Sequence, residues 1–209
     1  MNKSLTTISI AIIIIVIGVA IVIIFTNDAK KFVDQGVPKD LQTNKIKNPL
    51  GKTLVVYYSA TGTTKKIVLE IAKDLKADTF EIKTETNYTS EDLDWTNKNS
   101  KVSKEYNDKT LRNNKLIKDT PDNWDSYETV FIGYPIWWDI AAWPAETFVK
   151  KNNFLNKNVI PFCTAITSSI GESSQMLSEQ ANGGNWENGQ CFYPTSDSAE
   201  VKVWLDSLE

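Results

Sequence analysis

From residue 53 onward, short apolar runs alternate with segments of helical period, and this alternation limits the fold more than any other feature of the chain. Thr53-Leu-Val-Val-Tyr-Tyr58 is continuous, β-branched and aromatic, the mark of a strand buried on both faces. It stops at Ser59-Ala-Thr-Gly-Thr-Thr64, after which Ile67, Ile71 and Leu75 recur every four residues and predict a helix to about Lys76. Residues 77–83 read as a second strand, and the polar stretch 84–125 predicts a helix after Thr89. Further strands are expected at 128–134, 158–164 and 190–193, with helices near 142–152, 171–180 and 198–208. Five strands alternating with helices define an α/β chain with a five-stranded parallel sheet covered on both faces. Open sheets of this kind bind ligands beyond the carboxyl ends of their strands. Three loops therefore carry the search for function, those after Tyr58, Gly133 and Phe162.

Composition removes much chemistry. The 209 residues contain no histidine, so Ser-His-Asp and Cys-His pairs, His-ligated zinc and an imidazole proton shuttle are all excluded. Two cysteines, Cys163 and Cys191, are too few for a Cys₄ metal site or a disulfide framework. Residues 1–50 carry six Lys against three Asp, a net of +3. Residues 51–209 carry 17 Lys and Arg against 23 acidic residues, a net of −6. An acidic body lacks the basic footprint of a nucleic-acid binder, so no nucleic acid is expected as a partner, and the His and Cys counts leave no metal expected either. What remains is chemistry carried by a cofactor.

The N-terminus is of a different kind. Residues 8–25 are uncharged and mostly Ile and Val. As a helix they would span about 27 Å at about 1.5 Å per residue, close to a bilayer's hydrocarbon thickness. The run exceeds the apolar core of a cleavable signal, and Asn27-Asp28-Ala29 is a poor cleavage site. Residues 1–27 are accordingly read as a single-pass transmembrane anchor or uncleaved signal, residues 28–51 as a polar linker and residues 52–209 as the α/β domain. Lysines flank both sides of the run, so the positive-inside rule comes close to a tie. The short N-terminus favours a main domain outside the cytoplasm.

The first loop, Ser59, Ala60, Thr61, Gly62, Thr63 and Thr64, sets hydroxyls and one glycine at the mouth of a helix, where N–H groups and the helix dipole favour a phosphate. Its spacing is neither a Walker loop nor Gly-x-Gly-x-x-Gly. Ser59-x-Thr61-Gly62-x-Thr64 after a buried strand resembles the FMN phosphate loop of flavodoxins. Gly133-Tyr-Pro135-Ile136-Trp137-Trp138, followed by Pro144 and Thr147-Phe148, resembles the flavin-contacting loop of one flavodoxin-like branch. Pro161-Phe-Cys-Thr164 and Tyr88-Thr-x-x-Asp92-x-Asp94 resemble two further segments of that branch.

The resemblance covers residues 53–208. It implies a flavodoxin-like three-layer αβα fold with strand order 2-1-3-4-5 and an FMN site completed by Asp139, Thr164, Thr167, Ser168 and Gly171. Trp137 and Trp138 would stack on the flavin ring. Two departures stand out. Asp139 occupies the place of a usual glycine, stiffening the backbone and placing negative charge near the ring. Residues 165–171, Ala-Ile-Thr-Ser-Ser-Ile-Gly, lack the glycines and histidine that relatives often carry there.

The order 2-1-3-4-5 would also make the strands bearing Cys163 and Cys191 neighbours, within reach of a disulfide outside the cytoplasm. The function implied is membrane-tethered electron transfer to a partner protein or small-molecule acceptor, with basic partners favoured by the acidic body. An NAD(P)H-dependent flavin or quinone reductase and a flavin-free binding domain are the alternatives.

Overall fold

The computed structural model describes residues 11–16, 19–24, 50–112 and 114–208. The chain divides into two units, Met1–Lys45 and Ile46–Glu209. In the first, strands β1 (Ala11–Val16) and β2 (Val19–Ile24) pair antiparallel, with Ala11 opposite Ile24 and Val16 opposite Val19. Within the transmembrane helix expected over residues 8–25, residues 11–16 and 19–24 therefore form a two-stranded pairing instead, and the rest lies outside the described residues. The physical reason is the run of β-branched Ile and Val, whose restricted χ1 lowers helix propensity and favours strands. No helix among the described residues is long and apolar enough to cross a membrane. The expected linker lies outside the described residues except for Leu50 and Gly51.

The second unit is built on a sheet of seven strands. Its parallel centre is β4 (Asp78–Glu81), β3 (Thr53–Tyr57), β5 (Thr129–Trp137) and β7 (Asn158–Thr164) in that order. The expected fifth strand is divided. β8 (Asn185–Trp186) pairs with Asn158 and Val159, and β9 (Gln190–Phe192) pairs with residues 162–164 of β7. Pro161 falls at the gap, where it has no N–H to give a neighbour. A short antiparallel strand, β6 (Ile140–Ala141), folds back on the end of β5.

Alternation along β3 sends Leu54 and Val56 to one face of the sheet and Val55 and Tyr57 to the other. Helices α1 (Thr63–Leu75) and α5 (Ser198–Asp206) bury Ile67, Val68, Ile71, Val201 and Leu205 against the Val55 face. On the Leu54 face lie α2 (Lys101–Asn107), α3 (Trp143–Lys151) and α4 (Ser173–Gln180), with Val102, Trp143, Phe148 and Leu177 in the core. This is the three-layer arrangement expected. The helix expected after Thr89 begins at Lys101. Asp92 and Asp94 bond the turns at Thr89 and Thr96, and Ser100 caps the helix by accepting from the Ser103 N–H.

Parallel register brings the carboxyl ends of β3, β5 and β7 to one edge of the domain. There three contacts tie the three loops pairwise. The Tyr58 and Trp137 rings meet edge to face at 5.9 Å, joining the first loop to the second. Thr64 Oγ1 lies 2.8 Å from Thr164 Oγ1, joining the first to the third. Ser168 Oγ donates to Asp139 Oδ1 at 3.2 Å, joining the second to the third.

Candidate functional site

A cavity of about 620 Å³ opens between these loops. Of the residues expected there, Ala60, Thr61, Thr63, Pro135, Ile136, Trp137, Trp138, Thr164, Thr167 and Ser168 line it. Ser59, Gly62, Thr64, Asp139 and Gly171 do not line it, and four of them shape it from behind. The Ser59 hydroxyl accepts from the N–H groups of Gly62 and Lys65, both at 3.2 Å, and so folds the first loop onto the start of α1. Gly62 turns the chain into that helix at φ +93°, with open space where a Cβ would stand. Thr64 is buried on Thr164, and Asp139 holds Ser168. Gly171 has φ +49° with nothing nearby and stands apart from the cavity.

The second loop is a tight hairpin. Ile136 pairs with Ala141 and Trp137 with Ile140, leaving Trp138 and Asp139 as a two-residue turn at φ +48° and +63°. Turns with both central residues at positive φ favour Asn-Gly, so Trp-Asp stores strain here. Its compensation is visible. The Trp138 ring stacks on Tyr106 at 4.6 Å and 11°, and lies parallel to Trp143 at 6.5 Å. Trp137 is held edge-on by Tyr58, Tyr88 and Trp143.

Behind these rings sits a buried carboxyl. Glu105, 3 % exposed, accepts from the Tyr88 hydroxyl at 2.6 Å and the Trp143 indole N–H at 3.1 Å. Burial raises its pKa; the hydrogen bonds from Tyr88 and Trp143 and the charges of Lys101 and Arg112 act against that rise without cancelling it. The Tyr88 hydroxyl also lies 2.9 Å from Asn114 Oδ1. A protonated Glu105 can donate to Tyr88 while Tyr88 donates to Asn114, which gives each hydrogen one acceptor.

Leu93, Trp95 and Val102 also line the cavity, as do Ala165, Ile166 and Pro194. Sequence reasoning missed these six residues. The signal for the first three was Trp95 itself, a large apolar residue alone in the polar run Asp94-Trp95-Thr96.

The site suits a flat ring carrying a phosphate. The cavity has the size of a small-ligand site. Indoles and aliphatic side chains form its walls, and the hydroxyls of Thr61 and Thr63 stand beside the first N–H groups of a 13-residue helix, which have no intrahelical acceptor. Among the described residues no charged side chain lines it, so an anion there would be held by neutral donors.

Comparison with known proteins agrees with this geometry. Residues 52–208 match the model of the flavodoxin family. Among solved structures, a protein from Bacteroides eggerthii assigned as a flavoprotein is 39 % identical with a TM-score of 0.67, covering 75 % of this chain and 97 % of its own. One from Bacteroides uniformis with the same assignment is 35 % identical at a TM-score of 0.68, covering 76 % and 99 %. A flavoprotein of Lactobacillus acidophilus, solved in complex with FMN, is 25 % identical at a TM-score of 0.55, covering 74 % and 99 %. No curated protein matches the chain. The chain belongs to the flavodoxin family.

Proposed function

We propose that residues 52–209 bind FMN and transfer electrons, and that the apolar N-terminus holds them at a membrane. The observation that carries the first part is the cavity at the carboxyl ends of β3, β5 and β7, with a helix N-terminus and hydroxyls on one side and Trp137 and Trp138 on the other. The FMN complex of the related Lactobacillus acidophilus protein supports the choice of cofactor. When bound, FMN supplies the reversible uptake of electrons in its ring system, chemistry for which this chain has no side chain of its own.

The protein's part is to bind and to tune. Thr61, Thr63 and the α1 N–H groups hold the phosphate without a counter-cation. Trp137 and Trp138 present apolar walls to the ring. Asp139 brings a carboxylate to the turn beside the cavity and ties that turn to Ser168, which disfavours added negative charge on the ring and lowers its potential. No residue is assigned as a catalytic acid, base or nucleophile.

Tethering rests on residues 8–25. In water their pairing as two strands is marginal, and in a bilayer its open edges would leave N–H and C=O groups without partners. A helix satisfies them all, so the membrane-bound form is a single spanning helix with the domain outside the cytoplasm. Protease treatment of intact cells tests the orientation: the domain is digested before lysis if it faces outward and survives if it does not.

Titration of the domain with FMN, followed by visible absorption, tests the cofactor. A perturbed flavin spectrum saturating at micromolar FMN is expected, and an unperturbed one sinks the redox reading. Reduction by dithionite but not by NAD(P)H alone marks a carrier; rapid reduction by NAD(P)H marks a reductase.

A further inference from the structure

One stretch of the domain has the opposite charge from the rest. Residues 96–118 carry seven Lys and Arg against two acidic residues, a net of +5 inside a domain of −6. Of these two acids Glu105 is buried, whereas Asp108 is exposed and accepts from the N–H and hydroxyl of Thr110. Lys101 and Arg112 lie over the Tyr88 and Trp143 rings, and Lys118 pairs with Asp122 at 2.6 Å. Lys98, Lys104, Lys109 and Lys115 are exposed and make no ion pair among the described residues.

The same stretch exposes Tyr106, Leu111 and Ile117, and Trp95 directly before it is 65 % exposed. It leaves β4 at the carboxyl end, where Trp95 and Val102 line the cavity. Ile166, 77 % exposed, stands on the cavity's other side. Exposed Trp95 and Ile166 thus flank the cavity, and the four exposed lysines follow Trp95 along the same segment. Just upstream, Glu91 and Asp94 are exposed carboxylates and Asp92 is half-buried, Asp92 and Asp94 accepting from Thr89 and Thr96.

We propose that this segment docks on an anionic lipid surface. Lysines meet the headgroup charge, and Trp95, Tyr106, Leu111 and Ile117 enter the interfacial zone that accepts apolar bodies with polar tips. An acidic protein would match the lysines equally well. The apolar residues, however, are spread along the segment as single protrusions rather than gathered into a packed patch, which suits a fluid interface better than a shaped one. The docking rests on the domain's own surface and does not require the N-terminal tether.

The domain can be tested alone, because the related Bacteroides proteins consist of little else and are folded. Co-sedimentation of residues 50–209 with phosphatidylcholine vesicles, with and without about 30 % phosphatidylglycerol, reads the charge term directly. Binding to the anionic vesicles at least about tenfold above the neutral ones, weakening toward about 0.5 M salt, is expected. Changing Lys98, Lys104, Lys109 and Lys115 together to Gln removes that difference, and Trp95→Ala with Ile117→Ala weakens what is left. These six side chains are exposed, so the variants keep the wild-type melting temperature. Tryptophan fluorescence of the unaltered domain gives an independent reading, shifting to the blue on anionic vesicles. Equal binding to both vesicles, or anionic binding that survives the four-lysine change, overturns the proposal. So does retention on immobilised polyglutamate without binding to either vesicle, which would assign the face to an acidic protein.

Discussion

Glu105 shows how one residue can govern a wall it does not line. Its carboxyl fixes Tyr88 and Trp143, and those rings fix Trp137. Because burial raises its pKa, the native state holds its proton more tightly than the unfolded chain, whose glutamates titrate near 4.3. The resulting stabilisation is complete below the unfolded value and is lost as pH rises through the raised native one. Glu105→Gln keeps an acceptor for both donors and has no proton to lose. The stability of the natural protein relative to this variant should therefore fall as pH rises above about 4 in urea unfolding. A difference that stays flat as pH rises would mean that Glu105 titrates as an ordinary surface carboxylate.

Asp139 makes a comparable point about charge. Asparagine also tolerates positive φ and can accept from Ser168, so Asp139→Asn should leave FMN affinity within about threefold of wild type while raising the potential of the bound flavin. An unchanged potential in spectroelectrochemical titration would show that the carboxylate does not act on the ring.

At the scale of elements, strand β5 is the most tightly determined. A Cβ at Gly133 would stand 2.3 Å from the Phe162 ring on β7, well inside contact distance. Gly133→Ala should cost about 1–3 kcal/mol, measured as a lower urea midpoint. No shift would mean that the two strands separate more readily than their packing indicates.

The strands and helices of the domain were readable because each carries a complete local signal. Residues 53–57 are apolar throughout, and Ile67, Ile71 and Leu75 keep one helical face. The division of the last strand was not, since it depends on Pro161 meeting a neighbour distant in sequence. Nor was the start of α2, where side chains at Thr89, Asp92, Asp94 and Thr96 bond the backbone into turns before Ser100 can cap a helix. The three loops could be identified from strand ends, whereas Leu93, Trp95 and Val102 reach the cavity only through tertiary folding of a polar segment.

For the whole molecule, charge is distributed unevenly along the chain. The acidic body suggested basic partners, yet the segment beside the cavity is basic, so net charge alone misdescribes the surface a partner meets. Cys163 and Cys191 are direct register partners on β7 and β9, as the strand order implied, and both are free thiols. The proposed tethering requires the N-terminal run to become a helix in a bilayer. A peptide of residues 1–30 should give the circular dichroism of a helix in phosphatidylcholine vesicles, and a β spectrum there would remove the spanning reading.

The central claim is that the Ser59–Thr64 loop holds a phosphate and the Trp137-Trp138 loop holds a ring in one cavity. Calorimetric titration with FMN and with riboflavin, which lacks the phosphate, separates these parts. The domain should bind FMN about a hundredfold more tightly than riboflavin, and Thr61→Ala with Thr63→Ala should erase most of that difference while leaving riboflavin binding unchanged. Equal affinity for the two ligands, or an FMN preference that persists without both hydroxyls, would contradict the assignment.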